Sequence, residues 1–252
     1  MTGRIAVVGL GPGDPGHLTP RASAALADAT DLVGYAPYLA RVPTCPTQRR
    51  HPSDNRAESE RARFAAHLAA DGRSVALVSS GDPGVFAMAS TLFEAIEAGA
   101  SDWRTLDIEI IPGISAMCAA AARIGAPLGH DFCAISLSDN LKPWEVVARR
   151  LAGAARAGFV IALYNPRSRA RPWQLGAAFD LLRPILPAPT PVAFATAVTT
   201  PEERVHITDL GQADPALADM RTLVLIGTRE MRLIERPAAS PWLYAPRRSS
   251  AA

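Results

Sequence analysis

Short runs of mostly apolar residues recur through the first half of the chain, and two of them stop directly at Gly9 and Pro112. They cover Ile5–Val8, Asp31–Tyr35, Val75–Val78 and Leu106–Ile111. Runs that are apolar at nearly every position, rather than at every second one, are typical of strands covered on both faces. These runs therefore predict strands of a largely parallel sheet.

Apolar residues between those runs recur at helical spacing. Thr19 is a candidate N-cap ahead of Pro20, which suits a first helical turn. Strands that alternate with helices predict an α/β domain, whereas residues 41–55, rich in proline, arginine and threonine, predict a surface loop. The later predicted helices are Arg56–Asp71, Val85–Ala98 and Ile114–Arg123.

The second half of the chain has a different pattern, with several strands close together near its end. Because long helices are missing between the last of them, we predict a second α/β domain with a mixed sheet. The predicted helices are Pro143–Ala157 and Trp173–Leu186, and the predicted strands are Phe132–Leu137, Phe159–Tyr164, Pro191–Val198, Arg204–Asp209 and Leu223–Ile226.

These patterns predict two α/β domains with a short connection. The first domain covers residues 1–124, and residues 125–131, which contain Gly, Pro and His, are the expected linker. The second domain covers residues 132–236. Residues 237–252, rich in Pro, Ser, Ala and Arg, predict a disordered tail.

Composition and charge narrow the function. The chain has 252 residues, 48% of them hydrophobic, and a net charge of +2. That charge is too balanced to indicate a nucleic-acid or membrane-surface partner. The three cysteines form no CxxC pair and the five histidines have no ligand spacing, so we expect no disulfide framework and no metal site. With no signal peptide pattern and no apolar run of about 18 residues, we expect a soluble cytoplasmic protein.

Each of three strands in the first half leads into a loop of small residues. These loops read GLGPGDPG at 9–16, SGDPG at 80–84 and PGISA at 112–116. Glycine lets the backbone approach a ligand closely, and ligands of open α/β sheets bind beyond the carboxyl ends of the strands. One loop alone is as consistent with a structural turn, but three predict a shared ligand site.

Two further motifs follow strands of the second half. They are LYNPRS at 163–168 and HDFCAISLSDNLKPWE at 130–145. Residues 136–142 are either helix-capping residues or a loop that faces a substrate.

Taken together and in this order, GLGPGDP, SSGDPGVF, IPGISA and LYNPRS resemble the tetrapyrrole methylases. That resemblance covers the chain to about Arg236. It implies two α/β domains with S-adenosylmethionine in the cleft between them. The segment at 130–145 together with LYNPRS resembles the members that methylate precorrin-3B at C-17 and contract the ring to precorrin-4 in cobalamin biosynthesis.

The resemblance also implies roles for particular residues. Ala197-Val198 match the family less well, because related methylases have a glycine near that position. Asp14, Ser138, Asp139 and Lys142 are the candidates for an acid or base in the implied ring contraction, with Asp14 alternatively a cap of its loop and Asp139 a cap of the following helix. The implied cofactor contacts are Pro12, Ser80, Gly81, Asp82, Val85, Ser115, Ala116, Tyr164, Asn165, Ala197 and Val198.

A precorrin substrate bears many carboxylates, which arginine holds with paired hydrogen bonds. Candidates in polar loops are Arg49, Arg50, Arg167, Arg169 and Arg171. Relatives are dimers, so a homodimer is expected, with no nucleic-acid or membrane partner.

Three alternatives remain open. A methylase of the same fold acts at another corrin position, on RNA or on a protein. A nucleotide-dependent oxidoreductase would need the dinucleotide glycine spacing, which Pro12 and Pro15 interrupt. A cofactor-free interaction module leaves the three glycine loops unexplained.

Overall fold

The computed structural model describes residues 3–248, and the chain divides into two compact units between Ala116 and Met117. The predicted limits of the domains stay a prediction. Each unit is built around a five-stranded sheet.

The sheet of the first unit is entirely parallel, with strand order β3-β2-β4-β1-β5. Its strands are β1 (Arg4–Gly9), β2 (Asp31–Tyr35), β3 (Arg49–Ser53), β4 (Ser74–Ser79) and β5 (Asp107–Ile111). The helices are α1 (Pro20–Asp28), α2 (Ala36–Leu39), α3 (Glu58–Ala70) and α4 (Met88–Ala98), with short 3₁₀ turns at Pro15–His17 and Ser101–Thr105.

Helices cover this sheet on both faces. Along β1, Ile5 and Val7 pack with α3 and α4, whereas Ala6 and Val8 pack with α1 and Leu39. Successive side chains of a strand point to opposite faces, so both must be apolar when both faces are covered. The continuous apolar runs of the sequence follow directly from this arrangement.

Two predictions for the first unit were wrong in detail. Residues 41–55 are not only a loop, because β3 lies within them and pairs with β2. The helix predicted from Val85 begins at Met88 instead. Phe86 has a positive φ of 51° and Ala87 is extended, so the chain cannot be helical before Met88.

The second unit has a mixed sheet of order β10-β9-β11-β8-β7, as predicted. Only the β7–β8 pair is parallel among the described pairs of this sheet. Its strands are β7 (Phe132–Ser136), β8 (Val160–Tyr164), β9 (Pro191–Thr196), β10 (Arg204–Asp209) and β11 (Thr222–Ile226). The helices are α5 (Ala116–Ile124), whose first residue ends the first unit, α6 (Trp144–Arg156) and α7 (Gln174–Leu182), with a 3₁₀ turn at Pro215–Leu217.

Helices α6 and α7 pack on one face of the mixed sheet. Val147 and Leu151 of α6 and Phe179 of α7 are fully buried there, against Leu163 and Phe194. A large side chain buried this completely contributes about 1.5–3 kcal/mol to folding.

A small third sheet includes parts of the segments predicted as linker and as tail, 125–131 and 237–252. Strands β6 (Gly125–Ala126), β12 (Arg232–Arg236) and β13 (Ala239–Tyr244) form it in the order β12-β13-β6. The expected linker thus contains a strand, and the expected disordered tail contains β13, because their backbone groups pair with each other. Residues 249–252 of that tail lie outside the described residues.

Candidate functional site

The glycine loops after β1 and β4 are hydrogen-bonded to each other through their main chains. Gly11 N donates to Gly81 O at 3.2 Å, and Gly81 N donates to Gly11 O at 2.9 Å. Both glycines have positive φ, 67° and 62°, which glycine adopts without strain. The turns at 9–16 and 80–84 therefore form one continuous backbone surface at the carboxyl edge of the sheet.

Asp82 fastens the third loop, after β5, to the second. Its Oδ1 accepts from Gly84 N at 2.8 Å, and its Oδ2 accepts from Gly113 N at 3.1 Å. Hydrogen bonds to a charged acceptor are worth about 1.5–3 kcal/mol each. Asp82, which the sequence predicts as a cofactor contact, therefore holds the second and third loops together.

Close approach of the three loops requires glycine at Gly9. A Cβ there would lie 2.7 Å from Gly113 N and 2.8 Å from Gly81 O. Since all of these atoms belong to the main chain, they cannot rotate away. The three loops predicted to share a site do lie together.

The other predicted contacts of this unit line the same edge. Val85 N donates to Asp82 O at 3.3 Å, so Val85 belongs to the turn after β4. Ser115 is buried, whereas Pro12 and Ala116 are half-buried. Their positions are compatible with binding a ligand whose contacts are mostly main-chain groups.

Asp14 caps a turn at this edge. Its Oδ1 accepts from Gly16 N at 2.7 Å and so caps the turn Pro15–His17. The side chain is exposed. A catalytic role for Asp14 stays a prediction.

In the second unit, the LYNP motif lies where β8 ends. The Tyr164 hydroxyl accepts from Met117 N at 3.1 Å, and Asn165 Nδ2 donates to Ser136 Oγ at 3.0 Å. Asn165 has a positive φ of 52°, which asparagine tolerates better than most residues. Side-chain and backbone geometry are therefore both fixed at this strand end.

Ala197-Val198 lie at the same edge of that sheet. Strand β9 runs in the same direction as β8, because both are antiparallel to β11, which lies between them. Ala197 has φ 49°, a conformation that costs a residue with a Cβ about 1 kcal/mol. Such strain is concentrated at functional sites in proteins.

The loop after β7 carries the other predicted catalytic residues. Ser138 N donates to Ser136 Oγ at 3.3 Å, and both Asp139 oxygens accept from Gln174 Nε2, at 3.0 and 3.1 Å. Burial, with the positive charge of Arg150, lowers the pKa of the Lys142 ammonium.

The comparisons with known proteins agree with this geometry. The family model described as Tetrapyrrole (Corrin/Porphyrin) Methylases matches residues 4–214. The chain belongs to the tetrapyrrole methylase family. That confirms the resemblance drawn from the loop motifs.

Individual relatives of this tetrapyrrole methylase cover it almost completely. A precorrin-3B C(17)-methyltransferase of Sinorhizobium sp is 56% identical over 247 residues, which are 98% of this chain and 97% of the relative. A probable cobalt-factor III C(17)-methyltransferase of Salmonella typhimurium is 40% identical over 226 residues, covering 89% of this chain and 92% of that one. The crystal structure of the methyltransferase CobJ matches with a TM-score of 0.92 at 52% identity, covering 97% of this chain and 100% of that one.

The arginines proposed for substrate carboxylates lie in different places. Arg49 begins β3 opposite Asp31, the first residue of β2, so it lies at the amino edge of the sheet, away from the glycine loops. The Arg50 guanidinium donates to the carbonyls of Leu39, Val42 and Pro43. A substrate role for these two arginines has no support from their positions.

The arginines after β8 differ among themselves. Arg171 is buried and donates to Asn165 O at 3.0 Å, which closes the loop. Arg169 is exposed and Arg167 half-buried, so their guanidinium groups are accessible to a carboxylate.

Two residues that hold parts of the candidate site by hydrogen bonds were not predicted from the sequence. Arg41 donates to the glycine loops after β1 and β4. Gln174, which is 1% exposed, holds Asp139. A signal was present for Gln174, because it is a polar residue on the apolar face that α7 forms with Leu175, Ala178 and Phe179.

Among residues 3–248, no helix has the length and hydropathy to cross a bilayer. Within the same residues, no group of three or more His, Cys, Asp or Glu side chains is placed to hold a metal ion.

Proposed function

We propose that this tetrapyrrole methylase transfers the methyl group of S-adenosylmethionine to C-17 of precorrin-3B, with ring contraction to precorrin-4, in cobalamin biosynthesis. The observation that carries the proposal is the meeting of three glycine loops at one sheet edge, in a chain 56% identical to a precorrin-3B C(17)-methyltransferase. The Salmonella typhimurium relative, named for cobalt-factor III, is less similar at 40%. That difference favours the cobalt-free acceptor.

The residues of the first unit fit a ligand that is bound mainly by main-chain groups. Gly9 and Gly113 let the three loops pack directly against one another, so that their main-chain groups form one surface for a nucleoside. S-adenosylmethionine supplies an activated methyl group when bound, and the protein then needs chiefly to orient it. In this role the loops bind through Pro12, Ser80, Asp82, Val85, Ser115 and Ala116.

Residues of the second unit take the remaining cofactor contacts. Tyr164 and Asn165 are rigidly held by hydrogen bonds and are the proposed adenine-side residues, with Ala197 and Val198. Rigid positioning matters because small displacements slow a transfer that depends on alignment.

Acid–base chemistry for the ring contraction is assigned to the loop after β7 and to Asp14. Gln174 fixes the Asp139 carboxylate, which can then accept a proton in a defined orientation. The lowered pKa of Lys142 makes its ammonium group a better proton donor. Arg167 and Arg169 are the proposed partners of precorrin carboxylates.

The decisive experiment uses S-adenosylmethionine with a labelled methyl group. Precorrin-3B and cobalt-factor III are offered in parallel, and products are identified by mass and by absorption spectrum. We expect label in a precorrin-4 product and at least tenfold faster turnover of precorrin-3B. Faster turnover of the cobalt compound would reassign the acceptor, and failure to label either would overturn the proposed reaction.

A binding measurement separates the alternative classes. Isothermal titration should give micromolar affinity for S-adenosylhomocysteine and no binding of NAD. Binding of NAD alone would favour an oxidoreductase instead.

Assembly and location are part of the same proposal. We propose a homodimer in the cytoplasm without an RNA partner, on the basis of the family resemblance and a net charge of +2. Sedimentation equilibrium of the full chain tests the dimer, and a monomer at micromolar concentration would contradict it.

A further inference from the structure

Arg41 is the side chain that joins the first two glycine loops. It follows α2, and its Nη2 donates to Leu10 O and Gly11 O, each at 2.9 Å. Its Nη1 donates to Ser80 Oγ at 3.2 Å. The guanidinium group therefore lies against the surface on which the cofactor is proposed to bind.

Among the residues that the structure describes, the charge of Arg41 has no carboxylate partner. Within residues 3–248 no acidic side chain forms an ion pair with it. Arg73, by contrast, is paired with Asp31 at 2.6 Å. Burial lowers the pKa of Arg41, but an arginine stays protonated at neutral pH. An uncompensated cation in a half-buried position is unfavourable for the fold.

The hydrogen-bond donors of Arg41 are also incompletely used. A guanidinium has five N–H groups, and the bonds to Leu10, Gly11 and Ser80 use three of them. The Nε is buried without an acceptor. One N–H of Nη1 is left over, and it belongs to the same group that already contacts Ser80.

A main-chain tether alone does not require these features. The Arg50 guanidinium performs that task nearby with three carbonyls, and within residues 3–248 none of its nitrogens is buried without an acceptor. A cation kept at a ligand-binding edge, without a counter-ion and with an N–H to spare, is suited to an anion that arrives with the ligand.

We propose that Arg41 is the counter-ion of a carboxylate on the bound ligand, which rests on the proposed function. Two ligands of this reaction bear that group: the methionyl part of the cofactor and the side chains of the precorrin. The carboxylate chemistry is common to both, and the binding measurements below tell them apart.

The test compares ligands that differ only in the carboxylate. Binding of S-adenosylhomocysteine and of its decarboxylated analogue is measured by calorimetry for the parent protein, Arg41→Gln and Arg41→Lys. If the cofactor carboxylate is the partner, Arg41→Gln raises the Kd for S-adenosylhomocysteine at least tenfold and the Kd for the analogue less than twofold. The Arg41→Lys variant, which keeps the charge, should lose less.

The acceptor provides the second measurement. If a precorrin carboxylate is the partner, S-adenosylhomocysteine binds both variants normally, while the KM for precorrin-3B rises at least tenfold and kcat changes less. An equal rise in the Kd for S-adenosylhomocysteine and for its analogue would mean that Arg41 only holds the two loops together, and it would overturn the proposal. No change in any of these affinities would also overturn it.

Arg61→Gln is the matched control. Arg61 is a buried arginine of the first unit that likewise holds a loop, donating to Ser53 Oγ at 2.7 Å and to Asp54 O at 2.6 Å. Its loss should lower the melting temperature without changing the ratio of the two cofactor affinities. If the parent protein itself binds no S-adenosylhomocysteine, the proposed function fails, whereas binding that is insensitive to Arg41 defeats the inference alone.

Discussion

Replacing Gly9 by alanine tests whether the three loops of the first unit depend on direct backbone contact. Gly9 ends β1, and a strand conformation accepts alanine without backbone strain. Space is the obstacle, because the new Cβ would lie 2.7 Å from Gly113 N, 2.8 Å from Gly81 O and 2.9 Å from Gly113 Cα.

The size of the effect follows from these distances. Contacts of carbon with other heavy atoms are favourable at about 3.5–4.0 Å, so the neighbouring loops must move by about 0.7 Å or more. Overpacking of this kind costs about 1–3 kcal/mol. The same substitution stabilises the protein by about 0.4–1 kcal/mol, because alanine lowers the conformational entropy of the unfolded chain. We expect Gly9→Ala to lose about 1–2 kcal/mol of stability net.

Urea unfolding and calorimetry with S-adenosylhomocysteine measure the two consequences. We expect a lower urea midpoint and a Kd at least tenfold higher, because the displaced loops are the proposed cofactor surface. Gly153→Ala is the matched control, since its Cβ meets nothing within 4 Å on α6. It should gain about 0.5–1 kcal/mol and leave the Kd unchanged. A Gly9→Ala protein as stable as its parent, with the same Kd, would refute the reasoning.

Two further predictions concern Asp31 and Ala197. Burial alone would raise the pKa of the fully buried Asp31, but hydrogen bonds from His51, Thr30 and Arg73 lower that pKa below its usual value. The ionised Asp31 therefore stabilises the fold above the unfolded pKa of about 3.9, and this stabilisation is lost as the pH falls below that value. Asp31→Asn should therefore lower the free energy of unfolding by about 3 kcal/mol at pH 7. Urea titrations should show this difference between variant and parent shrinking below about pH 4, and a difference that does not depend on pH would contradict the reasoning. Ala197→Gly should raise the free energy of unfolding by up to about 1 kcal/mol, because glycine adopts the positive φ without strain. The control Ala193→Gly, in buried β9, should lower it by about 1 kcal/mol. Thermal melting that gives the reverse order would argue against strain at residue 197.

The sequence determined the sheet types and the clustering of the glycine loops. Continuous apolar runs such as Val75–Val78 identify a doubly covered parallel sheet, because both faces of each strand must be buried. In such a sheet the strand ends share one edge, which is why loops at 9–16, 80–84 and 112–116 were predicted to converge. They contact one another because β4, β1 and β5 are neighbours in the sheet, an order that the sequence did not predict. The loop motifs also identified the family.

Tertiary structure alone decided what the polar side chains do. Nothing local distinguishes Arg41, which reaches the glycine loops, from Arg49, which begins an edge strand at the opposite end of the sheet. Strands β3, β6, β12 and β13 were missed. For β6 and β13 the reason is related, since these two short strands pair with each other although they are distant in the chain. Hydrophobic periodicity records which positions are buried, whereas the partner of a charge or of an edge strand exists only after the chain has folded.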